Sequence, residues 1–192
     1  QPADSLAIVK LMGLKLSSQL DDEVLRARTA LALAKDKPGT ISYGTAGLGT
    51  APHMGALLLE TMTGAKLSPI HYRGASPALN DVIAGHINTI IMGPSIALPT
   101  VKAGKLNMLG FGSLQRVAQF ADVPTIAETV PGYESSPFYG IGAPKGTPPE
   151  IVDLLNREIN AGLADPKLNA RLADLGGMML PGSSTEFGKL IA

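Results

Sequence analysis

The residues best suited to do chemistry in this chain lie next to glycines. The stretch YGTAGLGTAPHMG, residues 43–55, sets Thr45, Thr50 and His53 among Gly44, Gly47, Gly49 and Gly55. Glycine removes the Cβ that would keep a guest away from the backbone, and a hydroxyl both donates and accepts. Two later stretches repeat the theme. YRGASP offers Gly74, Ala75 and Ser76 after Arg73, and MGPS offers Pro94 and Ser95. Each lies where a β-branched run gives way to a helical pattern. A helix start carries unpaired N–H groups and partial positive charge, which suit a carboxylate or a phosphate. The plain alternative for each loop is a tight turn that packs a helix on a sheet.

Several sharper chemistries are excluded. A P-loop needs lysine before its hydroxyl residue, and here Gly49 is followed by Thr50 and Ala51. A dinucleotide fingerprint needs other glycine spacing and an acidic residue further on. His53 can donate to an anion, serve as a base or cap locally, and no acidic signature accompanies it. His53, His71 and His86 have no metal-ligand spacing and the chain has no cysteine, so neither metal nor cofactor is expected. Arg73 is either a charged partner for an acidic ligand or a surface arginine. Ser135 and Ser136 lack the G-x-S-x-G context of a nucleophile. Asp4 and Ser5, in QPADSLA, read as a helix cap or as an anion site at a helix start.

The elements that must position these residues follow from periodicity and punctuation. Apolar residues at spacings of three and four predict helices over 3–20 and 22–35, the second with Val24, Leu31 and Ala34 inward. TISYGTAG, LSPIHYRG, INTIIMG and KLNMLGFGS read as strands. Between them lie helices opened by Thr50, by Ser76 with Pro77, and by Ser95. Residues 133–144 read as a long extended stretch. Thr147–Glu150 and Ser183–Glu186 read as capping boxes, and Asp165–Pro166 opens another helix. Alternating strands and helices indicate α/β architecture with a largely parallel sheet, whose carboxyl edge gathers every strand-to-helix loop.

Composition narrows the function classes. Lys plus Arg and Asp plus Glu are 16 each among 192 residues, so the formal charge is zero and a nucleic-acid partner is not expected. Aromatic residues are only 4%, too few for stacking platforms. No apolar run reaches the roughly 20 residues of a membrane span, and no signal-peptide pattern is visible.

In order along the chain, ISYGTAGLGTAPHMGALLLETMTG, IHYRGASPALNDVIAGHINTIIMGPSIALPTVKAGKLNMLGFGS, DVPTIAETVPGYE, FYGIGAPKGTPPEIVDLLNREI and LADLGGMMLPGSSTEF resemble the solute receptors of tripartite tricarboxylate transporters, the Bug family. The resemblance covers Lys37 to Ile191. It implies a periplasmic α/β binding protein of type II, with two lobes of mostly parallel sheet flanked by helices. Such a receptor holds a small carboxylate or related polar solute in its cleft and hands it to membrane transporter subunits, and is not an enzyme. By motif match the ligand residues are Thr45, Ala46, Gly49, Thr50 and His53, then Gly74, Ala75 and Ser76, then Pro94 and Ser95. QPADSLA is similar to the end of a glycine-rich loop from the other lobe, which adds Ala3, Asp4 and Ser5. The resemblance further implies that residues 21–112 form the second lobe. Residues 1–20 and 113–192 would be the remnant of an incomplete first lobe, with crossing segments at Phe111–Ser113 and Pro137–Ile141. The competing expectation is an enzyme acting on a phosphate or acyl group with His53 as base, which requires a nucleophile or metal within reach.

Overall fold

The computed structural model describes residues 7–9, 23–117, 120–174, 177 and 179–191. Its elements begin with β1 (Ala7–Val9), α1 (Glu23–Asp36), β2 (Ser42–Thr45), α2 (Ala51–Thr63), β3 (Ser68–His71) and α3 (Ala75–Ala84). There follow β4 (Thr89–Met92), α4 (Pro94–Lys102), β5 (Met108–Phe111) and a 3-10 turn at Ile126–Glu128. Three helices close the chain: α5 (Pro149–Leu163), α6 (Pro166–Asp174) and α7 (Ser184–Ile191). Contacts divide the chain into two units, one up to Pro137 and one from Phe138 onward.

The first unit holds one sheet in the order β3-β2-β4-β1-β5. β2 is parallel to β3 on one side and to β4 on the other. β1 is antiparallel to both β4 and β5, so those two share the direction of β2 and β3. The carboxyl ends of four strands therefore meet along one edge. The chain leaves β2 for β3 and returns past it to β4, which makes the end of β2 the point where the strand order reverses.

Side-chain alternation assigns the helices to faces. Ile90 and Met92 pack with Ala78 and Val82 of α3 and with Ala97 and Leu98 of α4. Ile91, between them, packs with Tyr43 and with Ala56 of α2. Thus α3 and α4 cover one face and α2 the other, and β4 and β5 are buried at every position, as doubly covered strands are. Leu31 of α1 joins Leu59 of α2, Ile126, Val130 and Tyr133 on the α2 side. Ala34 meets Ile41 and Ala65, so both inward residues assigned to α1 within the described side chains are found inward.

The second unit is built differently. None of α5, α6 or α7 has a fully buried residue. Side-chain amides tie it together: Asn156 and Asn160 Nδ2 each donate to the Gly182 carbonyl at 2.9 Å, and Gly182 N–H returns to Asn160 Oδ1. Phe138 and Phe187 meet edge-on at 5.9 Å.

Three local expectations change. Residues 7–9, expected inside a helix over 3–20, form a strand, because a short apolar run has no period of its own and takes the state its neighbours pair with; the rest of that span lies outside the described residues. α3 starts at Ala75 after Gly74, and α4 at Pro94 after Gly93, so Ser76 and Ser95 sit in the first turn rather than at the cap. Thr147 does not cap α5: its hydroxyl donates to the Pro144 carbonyl and Pro148 takes the cap position. The Ser183–Glu186 box is present as expected.

Candidate functional site

The carboxyl edge of the sheet brings the three predicted loops side by side. β3, β2 and β4 are consecutive neighbours. With strands about 4.8 Å apart, their ends span roughly 10 Å. The loops between β2 and α2, β3 and α3, and β4 and α4 thus emerge as a row. They are also bonded together: Tyr72 N–H donates to the Thr45 carbonyl at 3.1 Å and Gly74 N–H to the Ala46 carbonyl at 3.2 Å.

All three helices start without a capping side chain. The cap positions Thr50, Gly74 and Gly93 make no side-chain bond to the helix, and no acidic residue stands in the first turn of α2, α3 or α4. Thr50 is extended, as a cap should be, yet its hydroxyl donates backward to the Gly47 carbonyl at 2.7 Å. Each first turn holds a proline without an N–H (Pro52, Pro77 and Pro94), and the Ile96 N–H turns back to the Gly93 carbonyl at 3.2 Å. The other first-turn amides lie ahead of any i−4 carbonyl of their own helix, and the helix dipoles add positive potential. Ser76 and Ser95 are exposed at these starts, and Pro94 is buried beneath Ser95.

The glycines divide by task. Gly44 makes room within the fold: a Cβ there would come within 2.7 Å of Ile87 Cδ1 and 3.2 Å of Ala78 Cβ, so α3 packs directly on β2. Gly49 has φ 74° and open space where its Cβ would be, so it serves backbone conformation and leaves the loop surface accessible.

His53, half-buried, and His71, exposed, meet beside the loop. Their rings are edge-to-face with centroids 4.8 Å apart. Gly49 N–H donates to His53 Nδ1 at 3.1 Å, which leaves the neutral ring's proton on Nε2. His71 Nδ1 lies 2.8 Å from the hydroxyl of Thr45, a fully buried residue. That oxygen is also 3.3 Å from both the Gly47 carbonyl and the Gly47 amide. The basic residue expected of an enzyme thus meets another imidazole and a backbone amide, and the Thr45 oxygen is shut off from any substrate. Among the described residues no cluster of three or more His, Asp or Glu could hold a metal ion.

Of the residues expected to form the site, Thr45, Ala46, Gly49, Thr50, His53, Gly74, Ala75, Ser76, Pro94 and Ser95 stand on this row of loops. Ala3, Asp4 and Ser5 lie outside the described residues. Arg73 is exposed on the loop between β3 and α3. Tyr72, next to it, donates to Asp81 Oδ2 at 2.7 Å. Burial first, then that bond, pushes its phenol up to about 12, so it stays a donor. His71 was not among the expected site residues. Register would have found it: His71 is the last residue of β3 and pairs with Thr45, the last of β2.

Comparison with known proteins supplies the family. A family model described as the tripartite tricarboxylate transporter family receptor matches residues 17–192. A protein of Pseudomonas sp. strain P51, the UPF0065 protein in the tcbD-tcbE intergenic region, is 39% identical over 148 residues, covering 76% of this chain and 44% of that protein. Protein BugT of Bordetella pertussis is 36% identical over 134 residues, covering 69% and 41%. The solved structure of R. palustris Rpa4515 with adipate matches with a TM-score of 0.87 at 28% identity, covering 99% of this chain and 61% of that one. The chain therefore spans less than half the length of these two sequence relatives and shares the type II periplasmic binding protein fold of the solved structure.

Proposed function

The chain belongs to the family of tripartite tricarboxylate transporter receptors, and on that premise we propose that it is part of a periplasmic solute receptor that holds a small carboxylate for a tripartite transporter. The observation that carries this reading is the row of three adjacent helix starts, with neither side-chain cap nor first-turn acid. Each start has donors to satisfy and positive potential to offset, and one carboxylate seated at their meeting point answers both needs. Ser76 and Ser95 supply hydroxyls, and the first-turn amides that follow Thr50, Gly74 and Gly93 supply N–H donors. Ala46, Ala75 and Pro94 shape the floor with apolar side chains. Ala3, Asp4 and Ser5, which precede β1 of the same sheet in the chain, are assigned to the same ligand. No covalent step is required, and delivery takes place through membrane subunits of the transporter. Among the described residues, no helix is long and apolar enough to cross a membrane.

A titration tests this reading. Calorimetry and thermal unfolding of the 192-residue chain are measured with adipate, with shorter dicarboxylates and with phosphate monoesters. The expected result is saturable binding and a raised midpoint with a dicarboxylate, and the dicarboxylate recovered unchanged. Turnover of a phosphate or acyl ester that disappears in His53→Ala overturns it, as does a chain whose midpoint no carboxylate moves.

A further inference from the structure

We propose that His71 is a positioning residue for the carboxylate seat: together with His53 it clamps the loop between β2 and α2, the exposed His71 through the Thr45 hydroxyl and the half-buried His53 through the Gly49 amide. The proposal rests on the receptor reading above and assigns the residues that set the seat's shape rather than those that touch the ligand.

The clamp closes at two points. His71 Nδ1 and the Thr45 hydroxyl are 2.8 Å apart, the shortest link in the cluster. The same oxygen reaches both backbone groups of Gly47 at 3.3 Å, so it ties the first half of the loop to the strand. His53 Nδ1 takes the Gly49 amide at 3.1 Å and ties the second half to the helix. The two imidazoles rest edge against face, so each ring limits the rotation of the other. Gly47 at φ 140° and Gly49 at φ 74° need such ties, because glycine in these regions has many other conformations within reach. Thr45 is fully buried, which rules out direct contact with solute and leaves its hydroxyl to an internal task. Breaking the His71 link leaves the Thr45 hydroxyl only its two longer contacts to Gly47 and loosens the loop that carries Thr50.

Side-chain shape allows a test that simple loss of packing would not mimic. The amide of asparagine falls where imidazole Nδ1 does, and that of glutamine where Nε2 does. The full chain is prepared as His71→Asn, His71→Gln, His71→Phe and Thr45→Val. Adipate affinity is measured by calorimetry, and exchange of the Gly47 and Gly49 amides is followed by NMR without ligand. His71→Phe and Thr45→Val are expected to weaken adipate binding about tenfold and to speed exchange at Gly47. His71→Asn restores affinity to within about threefold of the wild type, and His71→Gln does not. Equal losses in the Asn, Gln and Phe variants mean packing alone, and overturn the proposal. So does His71→Phe with wild-type affinity. If the wild-type chain binds no adipate, the receptor reading falls by itself; the clamp is then decided by exchange in the free chain, where unchanged Gly47 and Gly49 rates in His71→Phe and Thr45→Val overturn it.

Discussion

Helix starts in this chain follow two opposite rules. In the second unit, Asp165 Oδ1 accepts from the Lys167 and Leu168 amides at 3.0 and 2.8 Å at the head of α6. Ser183 and Glu186 close a reciprocal box at the head of α7. α5 has no capping side chain but carries Glu150 in its first turn. Each of these helices meets its own positive end with an acid. At the sheet edge of the first unit, α2, α3 and α4 have neither cap nor acid. A capping side chain contributes about 1 kcal/mol over alanine but only a few tenths over glycine, so the Gly74 and Gly93 caps leave these starts open at little cost. The difference teaches that the exposed amides are local to one edge, where an acid from the chain would occupy the place of an acid from outside.

The largest effect is expected from moving the first rule to the second site. Thr50→Asp puts a carboxylate at the cap of α2. Adipate affinity falls about a hundredfold, since a like charge about 4 Å away costs several kcal/mol near a protein surface. The urea midpoint of the same variant rises, because the new carboxylate caps the helix. Affinity and stability moving in opposite directions is the signature of a ligand seat. Thr50→Asp that binds adipate as well as the wild type breaks the comparison.

Next in size is a contrast between two glycines of one loop. Gly44→Ala drives a methyl group toward Ile87 and Ala78 and costs about 2 kcal/mol through overpacking of α3 on β2. Gly49→Ala has open space and costs about 1 kcal/mol for its left-handed backbone alone. Urea unfolding separates them. An equal cost at both positions would mean that α3 yields freely, and the loop glycines would then share a single role. Smaller still, Ser183→Ala removes a cap remote in sequence from the loops. Protection of the α7 amides against exchange drops by about 1 kcal/mol, and adipate affinity does not change.

Much of this was legible in the sequence, and the reasons differ by element. Strands β2, β4 and β5 fell inside runs rich in β-branched and large apolar residues bounded by glycine, so burial on both faces announced them. The loops were found because glycine and hydroxyl residues recur after each strand. Helix starts were misplaced by one or two residues at Ser76 and Ser95. The general preference for a serine cap is overridden where Gly74 and Gly93 take the cap position instead. The Thr45–His71–His53 cluster was invisible for another reason. It depends on the register of two strands 26 residues apart, and no local pattern encodes register. β1 was missed because three apolar residues fit a helix as well as a strand.

The smallest expected effect concerns a cap that lies in the first unit yet follows the rule of the second. Glu128, in the 3-10 turn, accepts from the Thr125 amide at 2.9 Å and from two of the three guanidinium nitrogens of Arg116, Nε at 2.8 Å and Nη2 at 2.6 Å. Arg116 above all, then the Thr125 amide, holds its carboxyl down to about 2 from an ordinary 4.5. In the window between those values the unfolded chain binds a proton that the folded chain does not, so stability falls as pH drops from 4.5 toward 2. Both side chains are more than a third exposed, at 43% for Arg116 and 36% for Glu128. Solvent screening therefore keeps the contribution below about 1 kcal/mol. Urea midpoints of the wild type and Glu128→Gln, measured from pH 6 to pH 2, are expected to converge as the pH falls, because the advantage of the charged pair is lost with protonation. Curves that stay parallel across that range mean that the ion pair adds nothing to this turn. The Thr125–Glu128 cap would then be held by its backbone bonds, and the distinction between acid-closed and open helix starts would rest on α5, α6 and α7 alone.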